Sequence, residues 1–237
     1  MTYETRHTDV QRMFGSIAER YDAANTVLSL GIHHLWRRSL LRLLPTEPSS
    51  SDRGASLVLD VCTGTGDLLP LIKNRFGSVV GVDFCLPMLQ AGKQKLSQPY
   101  AMVQGDGLKL PFADGSFDVV TVAFGVRNFE RLQQGIIELR RVLKPTGHLL
   151  VLEFGQPNNR VFGALFRLYA NYWMPFIGGL LTGNREAYAY LPRTAARFPC
   201  GDEFVTILQS GGFKDARCLP LTMGVAYAYC AQAAAQP

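Results

Sequence analysis

The 237-residue chain has little of what disulfide-bonded, metal-binding or membrane-spanning proteins are built from. Its five cysteines (Cys62, Cys85, Cys200, Cys218, Cys230) form an odd set with no C-x-x-C pair and no histidines spaced to join them. That excludes a disulfide framework and a zinc site, and predicts a reducing compartment, the cytoplasm. Long hydrophobic runs are missing as well. The most apolar segment, Val161–Leu181, is interrupted by Arg167, Asn171 and Pro175, which makes it a poor spanning helix. Met1–Val10 is polar with both charge signs, unlike a signal peptide, so a soluble or surface-bound protein is expected. Internal repeats and low-complexity tracts are lacking. Acidic residues are in modest deficit, 19 against 24 basic, for a net charge of +5. This balance permits an anionic partner and demands none.

What is present is a buried apolar run broken by glycines. Leu57–Val61 has the character of a central parallel strand. It leads into Cys62-Thr63-Gly64-Thr65-Gly66, and a helical pattern resumes at Leu68. A strand delivered into such a turn brings bare backbone close to a ligand at the carboxyl end of a sheet. The dinucleotide fingerprint G-x-G-x-x-G would need a third glycine where Leu69 stands, and Asp67 would meet the pyrophosphate at the helix N-terminus. An acid there repels phosphate and suits a cation. A nucleoside with a sulfonium and an ammonium, S-adenosylmethionine, therefore fits better than NAD.

Strands and helices alternate beyond that turn. Further strands are predicted at Ser78–Val82, Ala101–Gln104, Phe117–Phe124 and Leu149–Phe154, the last entered by a Lys144–Gly147 turn. Pro87 opens a helix through Met88–Leu96, and Leu132–Leu143 is amphipathic. This alternation predicts an α/β fold with a parallel sheet and right-handed crossovers. After a helix at Asp202–Gln209, two strands at Ala216–Leu219 and Gly224–Ala231 are separated by a short turn, so they pair antiparallel. One domain is expected. It comprises a helical cap and linker (residues 1–55, with the linker at Pro45–Ala55), a cofactor-binding core (56–154), an insertion (155–199) and a C-terminal helix with its hairpin (200–237). The insertion holds nine aromatics and five arginines against one acid, which suits a lid, a membrane surface or RNA.

Acids fall at the proposed strand ends. Asp83 would accept both ribose hydroxyls of an adenosine ligand, as a two-oxygen carboxylate does best. Asp60 and Asp67, flanking Gly64, Thr65 and Gly66, would hold an ammonium directly or through water. Asp106 would accept from the adenine amino group while the backbone beside Gly107 meets the ring.

With those residues placed, the chain resembles the class I S-adenosylmethionine-dependent methyltransferases, and within them the quinone-biosynthesis C-methyltransferases, from about Phe14 to Tyr229. Tyr21-Asp22-Ala23-Ala24-Asn25, Leu28-Ser29 and His33-His34-Leu35-Trp36 follow Y-D-x-M-N-x-x-L-S-x-x-x-H-x-x-W. Phe124-Gly125-Val126-Arg127-Asn128 follows F-G-(L/I/V)-R-N, and Arg141–Phe154 follows R-V-L-K-P-G-G…L-E-F-S. Ala24, Thr146 and Gly155 depart from the pattern, and Ala123 replaces a serine that commonly faces the cofactor. The resemblance implies a mostly parallel, Rossmann-like seven-stranded sheet with an antiparallel C-terminal hairpin and an N-terminal helical cap. It implies methyl transfer to demethylmenaquinol or, alternatively, to 2-polyprenyl-6-methoxy-benzoquinol. Arg127 and Asn128 would lie above the sulfonium, where a guanidinium stabilises an aryloxide. Tyr21 and His33 would come from the cap as candidates for moving the phenolic proton, with Trp36 read as core. A polyprenyl tail implies a possible peripheral contact of Val161–Leu181 with the cytoplasmic membrane. An RNA or protein methyltransferase is the lesser reading, since no N/D-P-P-Y-like tetrad follows the fourth strand; no nucleic-acid partner is expected.

Overall fold

The computed structural model describes residues 7–44 and 56–234; the expected linker at 45–55 lies outside them. Seven strands form one sheet in the order β3-β2-β1-β4-β5-β7-β6. These are β1 (Ser56–Val61), β2 (Gly77–Asp83), β3 (Ala101–Gln104), β4 (Phe117–Ala123), β5 (Leu143–Phe154), β6 (Phe213–Leu221) and β7 (Ala226–Ala233). The first five run parallel, and β7 is antiparallel to both β5 and β6. Only a short turn at Thr222–Gly224 precedes the last strand, and so tight a connection can make nothing but a hairpin.

Strand β1 sits at the centre, and its apolar run is explained by burial on both faces. Val58 packs with Trp36, Leu40 and Ile72 on one side. Leu59 and Val61 pack with Ile136, Leu139 and Phe204 on the other. Helices α3 (Ile32–Arg42) and α4 (Leu69–Phe76) thus cover one face, while α6 (Leu132–Val142) and α10 (Asp202–Ser210) cover the opposite one. Between β2 and β3 lies α5 (Leu86–Lys95), with Pro87 in its first turn. Strand order reverses between β1 and β4, and the crevice past their carboxyl ends is where open α/β sheets bind ligands.

The expected Lys144–Gly147 turn is absorbed into β5, which begins at Leu143 rather than Leu149. Register against β4 jumps from Phe117↔Leu143 to Val119↔His148, so the intervening residues form a bulge. Thr146 takes its left-handed corner at φ 65°, and Lys144 Nζ anchors the bulge on Asp118 at 2.9 Å.

Two helical groups roof the crevice. The cap comprises α1 (His7–Ile17), α2 (Tyr21–Ser29) and α3. The insertion comprises α7 (Arg160–Leu168), a π-helical turn (Tyr169–Trp173), α8 (Met174–Thr182) and α9 (Arg185–Ala195). Cap and insertion share a core of Ile17, Ala24, Leu28, Met174 and Tyr188. Of the insertion's aromatics, Tyr188, Tyr190 and Phe198 are buried, whereas Tyr172, Trp173 and Phe176 are exposed. Among the described residues, no helix is long and apolar enough to cross a membrane.

Candidate active site

Two cavities meet under the roof. The first, about 700 Å³ with its mouth included, lies at the ends of β1, β2 and β4 and is lined by Gly64, Asp83, Asp106, Gly107, Ala123 and Asn128, among others. The second, about 670 Å³ measured the same way, is lined by His33, Trp36, Arg37, Arg127, Phe154 and Phe166, among others. Tyr21 and Phe124 belong to both walls, so the two spaces adjoin there.

The first cavity is shaped by the glycine turn. Cys62 and Gly64 both take left-handed backbone, φ 57° each, which turns the chain sharply off β1. The Gly64 N–H then donates to Asp83 Oδ2 at 2.8 Å, and the Cys85 N–H donates to Oδ1 at 2.8 Å. The Phe84 backbone is a third partner, so of the carboxylate's roughly four accepting directions about one is left for a ligand's hydroxyl. Burial pushes the Asp83 carboxyl up to about 6, against the pull of its backbone partners. At the far wall, a Cβ on Gly107 would meet the Phe129 ring at 2.7 Å, so that ring lies directly over bare backbone. Asp106 is tied by accepting the Leu108 N–H at 2.8 Å. A hydroxyl-accepting acid and a wall of bare backbone and aromatic ring at the mouth of a switch-point crevice fit an adenosine-bearing cofactor.

Four expected cofactor residues stand behind that wall rather than in it. Asp60 is 2% exposed and accepts from Thr63 at 2.7 Å and Thr121 at 2.6 Å. Both its oxygens stitch β1 to the turn and to β4, and it lies outside the cavity lining. Asp67 meets Arg37 at 3.2 Å and Lys95, and although burial raises its carboxyl, these two cations hold it below the usual range. Bound to these two cations, it likewise lies outside the cavity lining. Thr65 Oγ1 donates to Asp22 at 2.8 Å and accepts from Lys95, which latches the cap to the glycine turn. Gly66 (φ 78°) serves packing, since a Cβ there would meet Leu96 at 2.9 Å.

The second cavity is apolar with a few convergent nitrogens. His33 is 5% exposed, and its Nδ1 lies 2.5 Å from Ser29 Oγ. Ser29 directs its own proton to the Asn25 carbonyl at 2.7 Å, so Nδ1 donates and Nε2 keeps a lone pair. Burial, then Arg37 and His34, depress the imidazole to about 4. Arg127 donates through Nη1 to Glu153 at 2.7 Å and to the Phe124 carbonyl, with the paired side chains 3% and 0% exposed. His33 Nε2, Arg37 Nη1 and Arg127 Nε are all buried without a partner. All three belong to residues that line this cavity, and their polar side chains suit a ligand with oxygen substituents.

The expected pairing of Arg127 with Asn128 over one reactant is divided. Val126–Asn128 forms a 3₁₀ turn after β4, which sends Arg127 to the second cavity and Asn128 to the first. There Asn128 Oδ1 accepts from Tyr190 at 3.0 Å. Tyr21, whose phenol is pushed up by burial against the pull of Arg127, stands at the junction. Arg37 was not anticipated. Its signal was its place four residues after His33 on one helix, hence on the same face.

Comparison with known proteins decides the family. The model of the ubiE/COQ5 methyltransferase family matches residues 2–233. The chain belongs to this family. The methyltransferase is 43% identical over 222 residues to demethylmenaquinone methyltransferase of Deinococcus radiodurans, covering 92% of this chain and 89% of that one. It is 41% identical over 226 residues to the ubiquinone/menaquinone biosynthesis C-methyltransferase of Bdellovibrio bacteriovorus, covering 93% and 94%. Among solved structures, a methyltransferase of Thermotoga maritima superposes with a TM-score of 0.66 at 15% identity, over 94% of this chain and 99% of that one. At that identity the likeness speaks for the fold alone, which is the class I methyltransferase fold. The enzyme is therefore an S-adenosylmethionine-dependent methyltransferase, the cofactor its first cavity fits.

Proposed function

We propose that the enzyme methylates a ring carbon of demethylmenaquinol, a lipid-tailed hydroquinol, to give menaquinol. The carrying observation is the second cavity, an apolar, aromatic-walled space that counts His33, Arg37 and Arg127 among its lining residues and adjoins the cofactor cavity. The relatives named demethylmenaquinone methyltransferase support this acceptor.

S-adenosylmethionine, when bound, supplies an electrophilic methyl on a positively charged sulfur. Asp83 would hold the donor's ribose, and the wall formed by Asp106, Gly107 and Phe129 would hold its base. The acceptor's phenol lies with its oxygen toward His33, Arg37 and Arg127. A phenol near pH 10 facing an imidazole near 4 is mismatched by about 6 units, or about 8 kcal/mol, so His33 alone is too weak a base. Two guanidinium N–H groups on the forming aryloxide contribute about 1.5–3 kcal/mol each, and the aryloxide in turn raises His33. The arginines acidify the phenol while His33 Nε2 receives its proton. Charge pushed into the ring makes the adjacent carbon the nucleophile. A carbon–carbon bond would form as the donor's methyl–sulfur bond breaks; His33 returns its proton to the phenolic oxygen, and the ring regains aromaticity by releasing the proton of the attacked carbon to bulk water. The roof excludes water from the reacting atoms.

The test presents labelled methyl donor with reduced demethylmenaquinone and, in parallel, with the methoxy-benzoquinol. Faster labelling of demethylmenaquinol is expected. Preference for the benzoquinol reassigns the acceptor, and labelling of neither removes the proposal.

A further inference from the structure

We propose that the outer face of the helix running through α7, the π-helical turn and α8 docks on an anionic phospholipid bilayer and admits the lipid-tailed acceptor to the second cavity. The surface rests on the exposed residues themselves, and its cargo rests on the proposed quinol reaction.

The helix is about 35 Å long at 1.5 Å per residue. Val161, Leu165, Leu168, Tyr172, Phe176 and Leu180 recur along it at intervals of three or four, each between 53% and 77% exposed. Trp173 stands beside them at 57%. A soluble surface rarely carries so continuous an apolar stripe unless something covers it. The other face of the same helix supplies Phe166, Tyr169 and Met174 to the second cavity, so one helix separates that cavity from the outside. The π turn, a feature frequent at functional sites, lies midway between the two. At the cap, Tyr169 OH donates to the Leu28 carbonyl at 2.6 Å. Two residues on, Leu30 is 86% exposed in left-handed backbone, φ 51°, a corner where glycine is the unstrained choice. A leucine there adds an apolar tip beside the helix.

Charge identifies the partner. No aspartate or glutamate occurs between Glu153 and Glu186, while Arg160, Arg167 and Arg185 are all exposed. An amphipathic helix with arginines flanking tryptophan, phenylalanine and leucine suits an anionic lipid interface. A second copy seated on the same face would bring two rows of arginines together with no acid between them.

The test uses the full chain with vesicles of phosphatidylcholine alone or mixed with phosphatidylglycerol, at low salt. Only two tryptophans are present, and Trp36 is 6% exposed, so quenching by brominated acyl chains reports Trp173. Binding at least tenfold tighter to the anionic vesicles is expected, with Trp173 quenched. The double variant Leu165→Glu/Leu180→Glu should lose at least tenfold in vesicle binding and in turnover of vesicle-borne quinol. Its donor affinity, melting temperature and turnover of a short-chain soluble quinol should hold. Absent vesicle binding, an unquenched Trp173 or unchanged binding by the double variant overturns the proposal. A lipid-free dimer that the double variant disperses also overturns it. Intact lipid binding with no turnover of any quinol supports the bilayer surface and overturns the acceptor reading alone.

Discussion

Replacing Asp83 by alanine should uncouple donor binding from folding. The carboxylate is 7% exposed and accepts the Gly64 and Cys85 N–H groups at 2.8 Å each, and the Phe84 backbone is a third partner, which leaves about one accepting direction. A ribose hydroxyl filling it makes a charge-assisted hydrogen bond worth about 1.5–3 kcal/mol. Its loss corresponds to a donor Kd raised by about 10–10²-fold. Isothermal titration measures this directly, and a 2′-deoxy donor analogue isolates the bond in question. The wild type should discriminate against the analogue by about tenfold or more, and Asp83→Ala should not discriminate at all. Acid offers a second handle on the same group. Burial holds the carboxyl at about 6, and the form that accepts hydroxyls is the ionised one. Donor affinity should therefore be flat above pH 7 and fall about tenfold per unit as pH drops below 6, a slope that Asp83→Ala abolishes. A variant Kd within threefold of wild type, or a 2′-deoxy penalty surviving in the variant, refutes the placement of the ribose on Asp83.

Arg127→Ala leaves Glu153 buried without its partner, which costs about 3–5 kcal/mol. The melting temperature should fall by roughly 6–20 °C, and at temperatures where the variant stays folded kcat should still fall while donor Kd holds. Full turnover there removes Arg127 from the chemistry. Arg37→Gln should lower kcat on the quinol and shift its pH profile alkaline, because the phenol is then less acidified; an unshifted profile assigns Arg37 to the Asp67 pair alone. Gly107→Ala sets a Cβ against the Phe129 ring at 2.7 Å, so donor affinity should fall at least tenfold with little loss for the quinol. Unchanged donor titration would show that the base lies elsewhere.

The core of the fold was legible because β1 and its neighbours are buried on both faces and so carry continuous apolar runs. The terminal hairpin followed from the shortness of its turn. The bulged start of β5 was not, since Thr146 is not a residue that advertises left-handed backbone. At the site, spacing alone located Asp83 and Asp106 at the mouth, because a residue at a strand's carboxyl end has one place to go. Asp60 and Asp67 share that address, yet Thr63, Thr121, Arg37 and Lys95 claim their oxygens. Those partners come from distant segments, which no local pattern records. The same holds for Arg127 and Asn128, adjacent in sequence and divided between two cavities by a single 3₁₀ turn.

The most direct measurement is where the methyl lands. A single turnover with ¹³C-methyl donor and reduced demethylmenaquinone, read by carbon NMR, should place the label on the quinol ring carbon beside a phenolic oxygen. Label found on that oxygen, or retained wholly on the donor, contradicts the alignment of the two cavities across Tyr21 and Phe124.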